Sequence, residues 1–319
     1  MRKIIRFLGK FIKVVVVFVV LFVVVSFAFH QYQLSKEAHL FVPNGQLVEV
    51  NGHQMHVYSK GEGTQTLVFM SGGGTSSPVL DFKSLYSLLS PHYRIVVVEK
   101  IGYGFSDVGK VERHLPSILA DTRSALDMAN IQGPFVLVPH SMSGIEALYW
   151  SQQYPDEVQA IVGLDMSVPQ SYETYEPNTF FLHLSSFAAQ AGITRWFPSL
   201  ADSEAIKYGT LTEHEKEVYR AVFYRRTATA TMLNEAKAVK DNASKIDMNT
   251  PLETPIILFA SNGENTGWSS EAWRGFQQNF IERAKNGKIV PLDVGHYVHN
   301  HSPEIIKTEI IKFLSELDE

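Results

Sequence analysis

The distribution of apolar residues changes character along the chain. From Val14 to Phe29 it reads VVVVFVVLFVVVSFAF, sixteen residues in which Ser26 is the one polar member. At a helical rise of about 1.5 Å per residue the run covers roughly 24 Å, against a hydrocarbon core about 30 Å thick. Phe11 and Ile12, with Lys13 reaching back toward the headgroups, bring it close to a full span. A core strand does not run so long. The pattern therefore predicts a transmembrane signal anchor over residues 1–30. A signal peptide cleaved near Ser26-Phe27-Ala28 competes with that reading.

After a polar connector at 31–45 the period shortens. Gln46 to Val50 and His53 to Ser59 alternate, and Asn51-Gly52 between them is a hairpin signal. Six nearly continuous apolar runs follow, at Thr66–Met70, Arg94–Val98, Phe135–Val138, Ala160–Leu164, Pro255–Ala260 and Lys288–Leu292. Such runs fit strands buried on both faces. Between them lie helical patterns at 116–130 and after Ser302-Pro303. Strand and helix alternate, which implies an α/β fold: a mostly parallel eight-stranded sheet with an antiparallel N-terminal hairpin, covered on both faces, over residues 46–319. From about 169 to 250 the alternation stops. Helical candidates at Phe180–Ala189 and Thr212–Val239, the latter opened by the capping box Thr212-Glu213-His214-Glu215, predict a helical cap over the carboxyl ends of the strands.

Composition narrows the function. The 28 Lys plus Arg and 33 Asp plus Glu leave a formal charge of −5, with no general basic field for nucleic acid. Five of those bases (Arg2, Lys3, Arg6, Lys10, Lys13) precede the apolar run, and Lys36 alone follows soon after it. This asymmetry predicts a cytoplasmic amino terminus and a folded domain facing outward. No cysteine is present, so disulfides, thiol catalysis and thiolate metal sites are excluded.

The chemistry concentrates at Phe135-Val136-Leu137-Val138-Pro139-His140-Ser141-Met142-Ser143-Gly144-Ile145. A buried strand stops there and a helix starts almost at once. The sharp turn places Ser141 at the mouth of the sheet, where the helix amino terminus and the Met142 amide stabilise negative charge on an attacked carbonyl. The segment resembles the nucleophile elbow G-x-S-x-G of the α/β-hydrolase superfamily, with Pro139 and Ser143 in the glycine places.

Three further segments fall in that family's order. Met70-Ser71-Gly72-Gly73-Gly74-Thr75 stands where the oxyanion loop does, which implies the Gly73 amide as second oxyanion donor. Glu99-Lys100-Ile101-Gly102-Tyr103-Gly104-Phe105-Ser106-Asp107 resembles the family's D-x-x-G-x-G-x-S-D loop and is expected to brace the site. A dinucleotide reading of it fails at Asp107, where the third glycine belongs. Asp293-Val294-Gly295-His296-Tyr297 carries the Gly-His pair, which implies His296 as general base.

The acid has two candidates. Asp165 ends Ile161-Val162-Gly163-Leu164-Asp165, the arrangement that pancreatic-type lipases resemble. Glu264, in Ser261-Asn262-Gly263-Glu264-Asn265, occupies the turn that most of the family uses. Asp165 is the first choice, because a short carboxylate on a strand end is more rigidly aimed. His299 and His301 extend an H-x-x-H-x-H cluster that lacks a known metal-ligand spacing and is expected at the entrance or the surface.

The resemblance covers about residues 46–316. It implies a membrane-anchored serine hydrolase acting on a small-molecule acyl substrate through an acyl-enzyme, without metal or organic cofactor. Two alternatives stand beside it. One is an aminopeptidase like the proline iminopeptidases, with Glu146 or cap acids holding an ammonium. The other is an inactive surface binding module on the same fold.

Overall fold

The computed structural model describes residues 2–317. Helix α1 (Arg2–Lys36) is followed by a 3-10 turn, Glu37–Leu40, and then by β1 (Gln46–Val50) and β2 (His53–Lys60). Most of the 31–45 connector is therefore helical. Nothing between Gln31 and Leu40 breaks a helix, and the first breakers are Pro43, Asn44 and Gly45. Asn51 and Gly52 both take positive φ, 52° and 78°, the two-residue turn whose twist matches a hairpin.

The chain continues through β3 (Thr66–Met70), α2 (Pro78–Asp81), α3 (Lys83–Leu89), β4 (Arg94–Glu99), α4 (Leu115–Met128), β5 (Phe135–Pro139), α5 (Ser143–Gln153) and β6 (Val158–Leu164). The cap follows, with α6 (Thr179–Gln190), α7 (Glu204–Lys207), α8 (Glu213–Arg226) and α9 (Ala230–Ala243). The body closes with β7 (Ile256–Ala260), α10 (Ser270–Ile281), β8 (Gly287–Pro291), α11 (Val298–His301) and α12 (Pro303–Leu317).

All eight strands form one sheet in the order β1-β2-β4-β3-β5-β6-β7-β8. The β1–β2 and β2–β4 pairs are antiparallel and the rest parallel. Alternate residues of the apolar strands feed two cores. Val68, Val96, Leu137 and Leu258 pack on the side that holds Ile145, Leu148 and Trp150. Leu67, Phe69, Val97, Val138 and Phe259 pack on the side that holds Ile306, Ile310 and Phe313. Each large side chain buried in this way contributes about 1.5–3 kcal/mol.

The chain leaves β3 for β4 on one side and returns to β5 on the other. The carboxyl ends of β3 and β5 thus border a crevice, the usual place for a ligand in such sheets. Above it, the capping box of Thr212 with Glu215 forms at the start of α8. The Thr212–Val239 segment is two helices rather than one. Ala228 takes a φ of 49°, and Thr229 caps the amino terminus of α9 by accepting from the Met232 amide. A capping threonine at that position competes with helix continuation.

Candidate active site

Ser141 sits between β5 and α5 with a φ of 55°, a conformation that costs a non-glycine residue energy and persists only where its surroundings impose it. They do. The Ser141 carbonyl accepts from the amides of Gly144 at 3.0 Å and Ser167 at 2.8 Å. Ser143 donates its hydroxyl to Met70 O at 2.7 Å and accepts from the His140 amide at 3.0 Å, tying the end of β3 to the bend. The close approach that the second glycine of the elbow pattern permits falls one residue later. A Cβ on Gly144 would lie 2.3 Å from Ser167 O. Pro139 ends β5, where its missing amide hydrogen interrupts nothing further along the strand.

Asp165 follows β6, also with positive φ, 46°, and is wholly buried. Its Oδ2 lies 2.6 Å from His296 Nδ1. Its Oδ1 accepts from the Ser261 amide at 2.8 Å, Trp273 Nε1 at 2.8 Å and Gln277 Nε2 at 3.2 Å. Burial alone would raise this carboxyl, but the His296 bond and these donors hold it below its ordinary range. It is therefore an anion at neutral pH. Glu264 is placed otherwise. Its side chain is exposed, and it meets His296 only through its backbone, whose carbonyl accepts the His296 amide at 3.0 Å.

Ser141, His296, Met142 and Gly73 line one cavity of about 430 Å³ between sheet and cap. Tyr172, Trp268 and Trp273 form one wall, and Leu182, Met232 and Leu233 of the cap close it. Among the described residues, the Gly73 and Met142 amides donate to no protein acceptor, whereas the next one along, Gly74, points to Tyr103 Oη at 3.4 Å. A Cβ on Gly73 would press on Met142 Cε at 2.8 Å, so glycine there keeps the loop against the elbow. A larger, charge-lined depression of about 570 Å³ opens beside Gln132, Phe135 and Glu157, at the amino end of β5 and away from this chemistry.

His140, next to Ser141, is buried, and its ring packs 4.6 Å from that of His296. Burial, then the nearby His296 and His299, hold His140 well below its ordinary pKa, so it adds no positive charge beside His296. His299 is not at the entrance, as its sequence position suggested. It is fully buried, with Nε2 at 3.0 Å from Asp81 Oδ2. The one-turn helix α11 rotates it away from the cavity and under Phe82. His301 pairs instead with Glu204 at 3.0 Å. The three histidines thus face three different carboxylates, and the described residues hold no grouping of three or more metal-ligating side chains.

The Glu99–Asp107 loop is anchored by its own glutamate. Glu99 is buried, bonded to His56 Nδ1 at 2.9 Å and to the Phe105 amide at 2.7 Å. Gly104 has φ 49°, and a Cβ there would overlap the Glu99 carboxylate at 1.9 Å. Lys100 joins Glu146 of the elbow helix at 2.6 Å and Glu235 of the cap at 2.5 Å, and Arg113 closes the cluster on Glu235 at 2.7 Å. Burial works against Lys100, yet the two carboxylates raise its pKa. Glu235 is lowered to about 2 despite its burial, by Lys100 and Arg113, whereas burial leaves Glu146 raised. Sequence reasoning missed Trp273, Gln277 and Arg113. Trp273 and Gln277 lie on α10 and Arg113 in the loop before α4, outside the motifs themselves, and only their fold partners mark them.

A buried His–carboxylate pair and a strained serine at the carboxyl ends of a mostly parallel sheet, under a helical cap, define a protein of the α/β-hydrolase class. The family model for the alpha/beta hydrolase fold matches residues 65–288, and the chain belongs to that family. It is 35% identical over 321 residues to the uncharacterized protein YbdG of Bacillus subtilis strain 168, covering 97% of this chain and 99% of that one. Epoxide hydrolase VrEH1 of Vigna radiata shares the fold at TM-score 0.66 and 19% identity, over 85% of this chain and 97% of its own. A putative lipase, lip1, from Acinetobacter baumannii AYE matches at TM-score 0.62 and 16% identity, over 91% and 96%.

Proposed function

We propose that this chain is a serine hydrolase that cleaves an ester or related acyl bond through an acyl-enzyme. One observation carries the reading: His296, oriented by Asp165 at 2.6 Å, borders the same cavity as Ser141. In this reaction the hydroxyl of Ser141 attacks the acyl carbon while His296 takes its proton and later returns it to the leaving oxygen. Asp165 fixes the imidazole with its Nδ1 hydrogen inward, leaving Nε2 for the serine, and stabilises the imidazolium. The Gly73 and Met142 amides receive the oxyanion, each worth about 2.7–4 kcal/mol. The residue at the bend is a hydroxyl rather than a carboxylate, so the covalent intermediate is an ester of serine, which water then hydrolyses.

Glu146 does not suit the aminopeptidase alternative, because Lys100 already engages it. A fluorophosphonate probe tests the proposal. The wild type labels, and Ser141→Ala does not. Failure of both to label overturns the reading and favours a binding module.

Helix α1 is long and apolar enough to cross a membrane. Our reading is that it does so uncleaved, amino terminus inside and hydrolase domain outside. Cleavage at Ala28 would remove Phe22 and Ser26, which pack against Trp196 of the cap. Protease added to intact cells removes the domain if it faces outward, and resistance reverses the orientation.

A further inference from the structure

The contact between α1 and the cap lies inside the apolar run. Trp196 sits between the rings of Phe22 and Phe29, at 5.9 and 5.8 Å, and its indole donates to Ser26 Oγ at 2.8 Å. That bond satisfies the only polar side chain of the run. Gly192 brings the cap backbone against the helix: with φ 73°, a Cβ there would stand 2.3 Å from His30 Cβ and 2.8 Å from Ser26 O. Arg195 then forks the Glu37 carboxylate at 2.8 and 2.7 Å and reaches His30 Nδ1 at 2.9 Å. Its side chain is only 5% exposed, so the guanidinium of the tip segment is both paired and covered.

From Phe22 to His30 the helix rises about 12 Å. If the run occupies the hydrocarbon, a cap tip fixed to those residues cannot lie wholly in water. Its outer face agrees. Phe180, Phe181, Leu184 and Phe187 recur at helical spacing along α6 and are all exposed, 69, 63, 46 and 52%, and Trp196 and Phe197 continue the patch. Contiguous apolar surface of this extent marks an interaction site, and an apolar helical face bearing aromatics is what an interfacial helix presents to lipid. The other face of the same helix turns Leu182 and Ser185 into the cavity of Ser141. One helix thickness separates that outer face from the active-site cavity.

Resting on the hydrolase and anchor readings above, we infer that the tip of the cap, α6 and the segment through Leu200, is seated in the leaflet that holds the carboxyl end of α1. It follows that the substrate is an acyl ester resident in that leaflet, whose chain reaches Ser141 past α6.

Tryptophan quenching in the full chain, reconstituted in phosphatidylcholine vesicles, tests the seat without calling on activity. Trp150 and Trp273 are buried and Trp268 lines the cavity, so Trp196 is the exposed tryptophan, and Trp196→Phe gives its contribution by difference. We expect lipids brominated on the acyl chain to quench that contribution and acrylamide to leave it. The reverse overturns the seat. A second arm tests the substrate class. Phe181→Glu with Phe187→Glu lowers turnover of a vesicle-borne long-chain ester about tenfold or more, with hydrolysis of p-nitrophenyl acetate unchanged. Equal loss on both substrates, or none on the vesicle-borne one, overturns the route through the leaflet. If the wild type turns over neither ester while bromolipids still quench Trp196, the seat holds and the hydrolase reading fails.

Discussion

Two buried His–Asp pairs stand three residues apart at the carboxyl edge of this sheet. His296 meets Asp165 through Nδ1 at 2.6 Å, and His299 meets Asp81 through Nε2 at 3.0 Å. Both carboxylates are fully buried. Orientation is what separates them. His296 spends its Nδ1 on the acid, so Nε2 remains for the cavity that Ser141 lines. His299 spends Nε2, and its Nδ1 is buried with no partner among the described residues. A His–carboxylate contact therefore identifies a reactive site only together with the nitrogen used and the group that the free nitrogen faces.

That contrast breaks most sharply at His296. Removing its imidazole should lower kcat on a p-nitrophenyl ester by about 10⁴ to 10⁶, as loss of the base does in serine hydrolases. A fall of less than tenfold would make the two pairs equivalent and dissolve the distinction.

Next in size is the choice of acid. Asp165→Asn should cost about 10⁴ in kcat by releasing the tautomer, while Glu264→Gln changes kcat by no more than about twofold, since an exposed group there touches His296 only through backbone. The same carboxyl predicts a pH signature. Asp165 is held below its ordinary value of about 3.9. Its stabilisation is therefore complete above that value and is lost as pH falls through the lower folded one. Urea unfolding of wild type and Asp165→Asn should accordingly converge as pH drops below about 4, and a constant gap would contradict the assignment.

How much of this was legible beforehand follows from where each constraint lives. The parallel sheet, the hairpin at Asn51-Gly52 and the elbow at Ser141 are local: a few adjacent residues carry the period, the turn chemistry or the strain. Asp165 could be preferred to Glu264 only on the shortness of its side chain at a strand end. The donors that hold its carboxylate, Trp273, Gln277 and the Ser261 amide, come from the chain beyond β7 and carry no local signal. The burial of His299 was illegible for the same reason, because the one-turn helix that rotates it has no period to read.

The cluster of Lys100, Arg113, Glu146 and Glu235 sharpens the comparison from the side of stability. It is as buried as the His296–Asp165 pair, yet its charges are satisfied by one another and none lines the cavity of Ser141. Glu235→Gln should cost about 3–5 kcal/mol, because it leaves two buried cations with one partner. Glu146→Gln should cost less, about 1–2 kcal/mol, since Lys100 and Arg113 both keep their bonds to Glu235. Denaturant midpoints report the ordering, and equal losses would refute it. Fluorophosphonate labelling of whatever remains folded should be preserved in both.

Asp81 tests the second pair itself. The pair that Asp81 makes with His299 sits behind the cavity, packed against Phe82 and His140. Asp81→Asn keeps the shape and one hydrogen-bonding oxygen, but the Nε2 contact loses its charge-assisted character, about 1–3 kcal/mol of stability. Thermal unfolding should therefore shift by a few degrees, while kcat on the ester stays within about threefold, because the proposed reaction moves no proton through His299. If Asp81→Asn instead lowered kcat on the scale of Asp165→Asn with the unfolding midpoint unmoved, the second pair would be acting on the first. His140, whose ring lies 4.6 Å from His296 and 4.8 Å from His299, would be the side chain through which it did so.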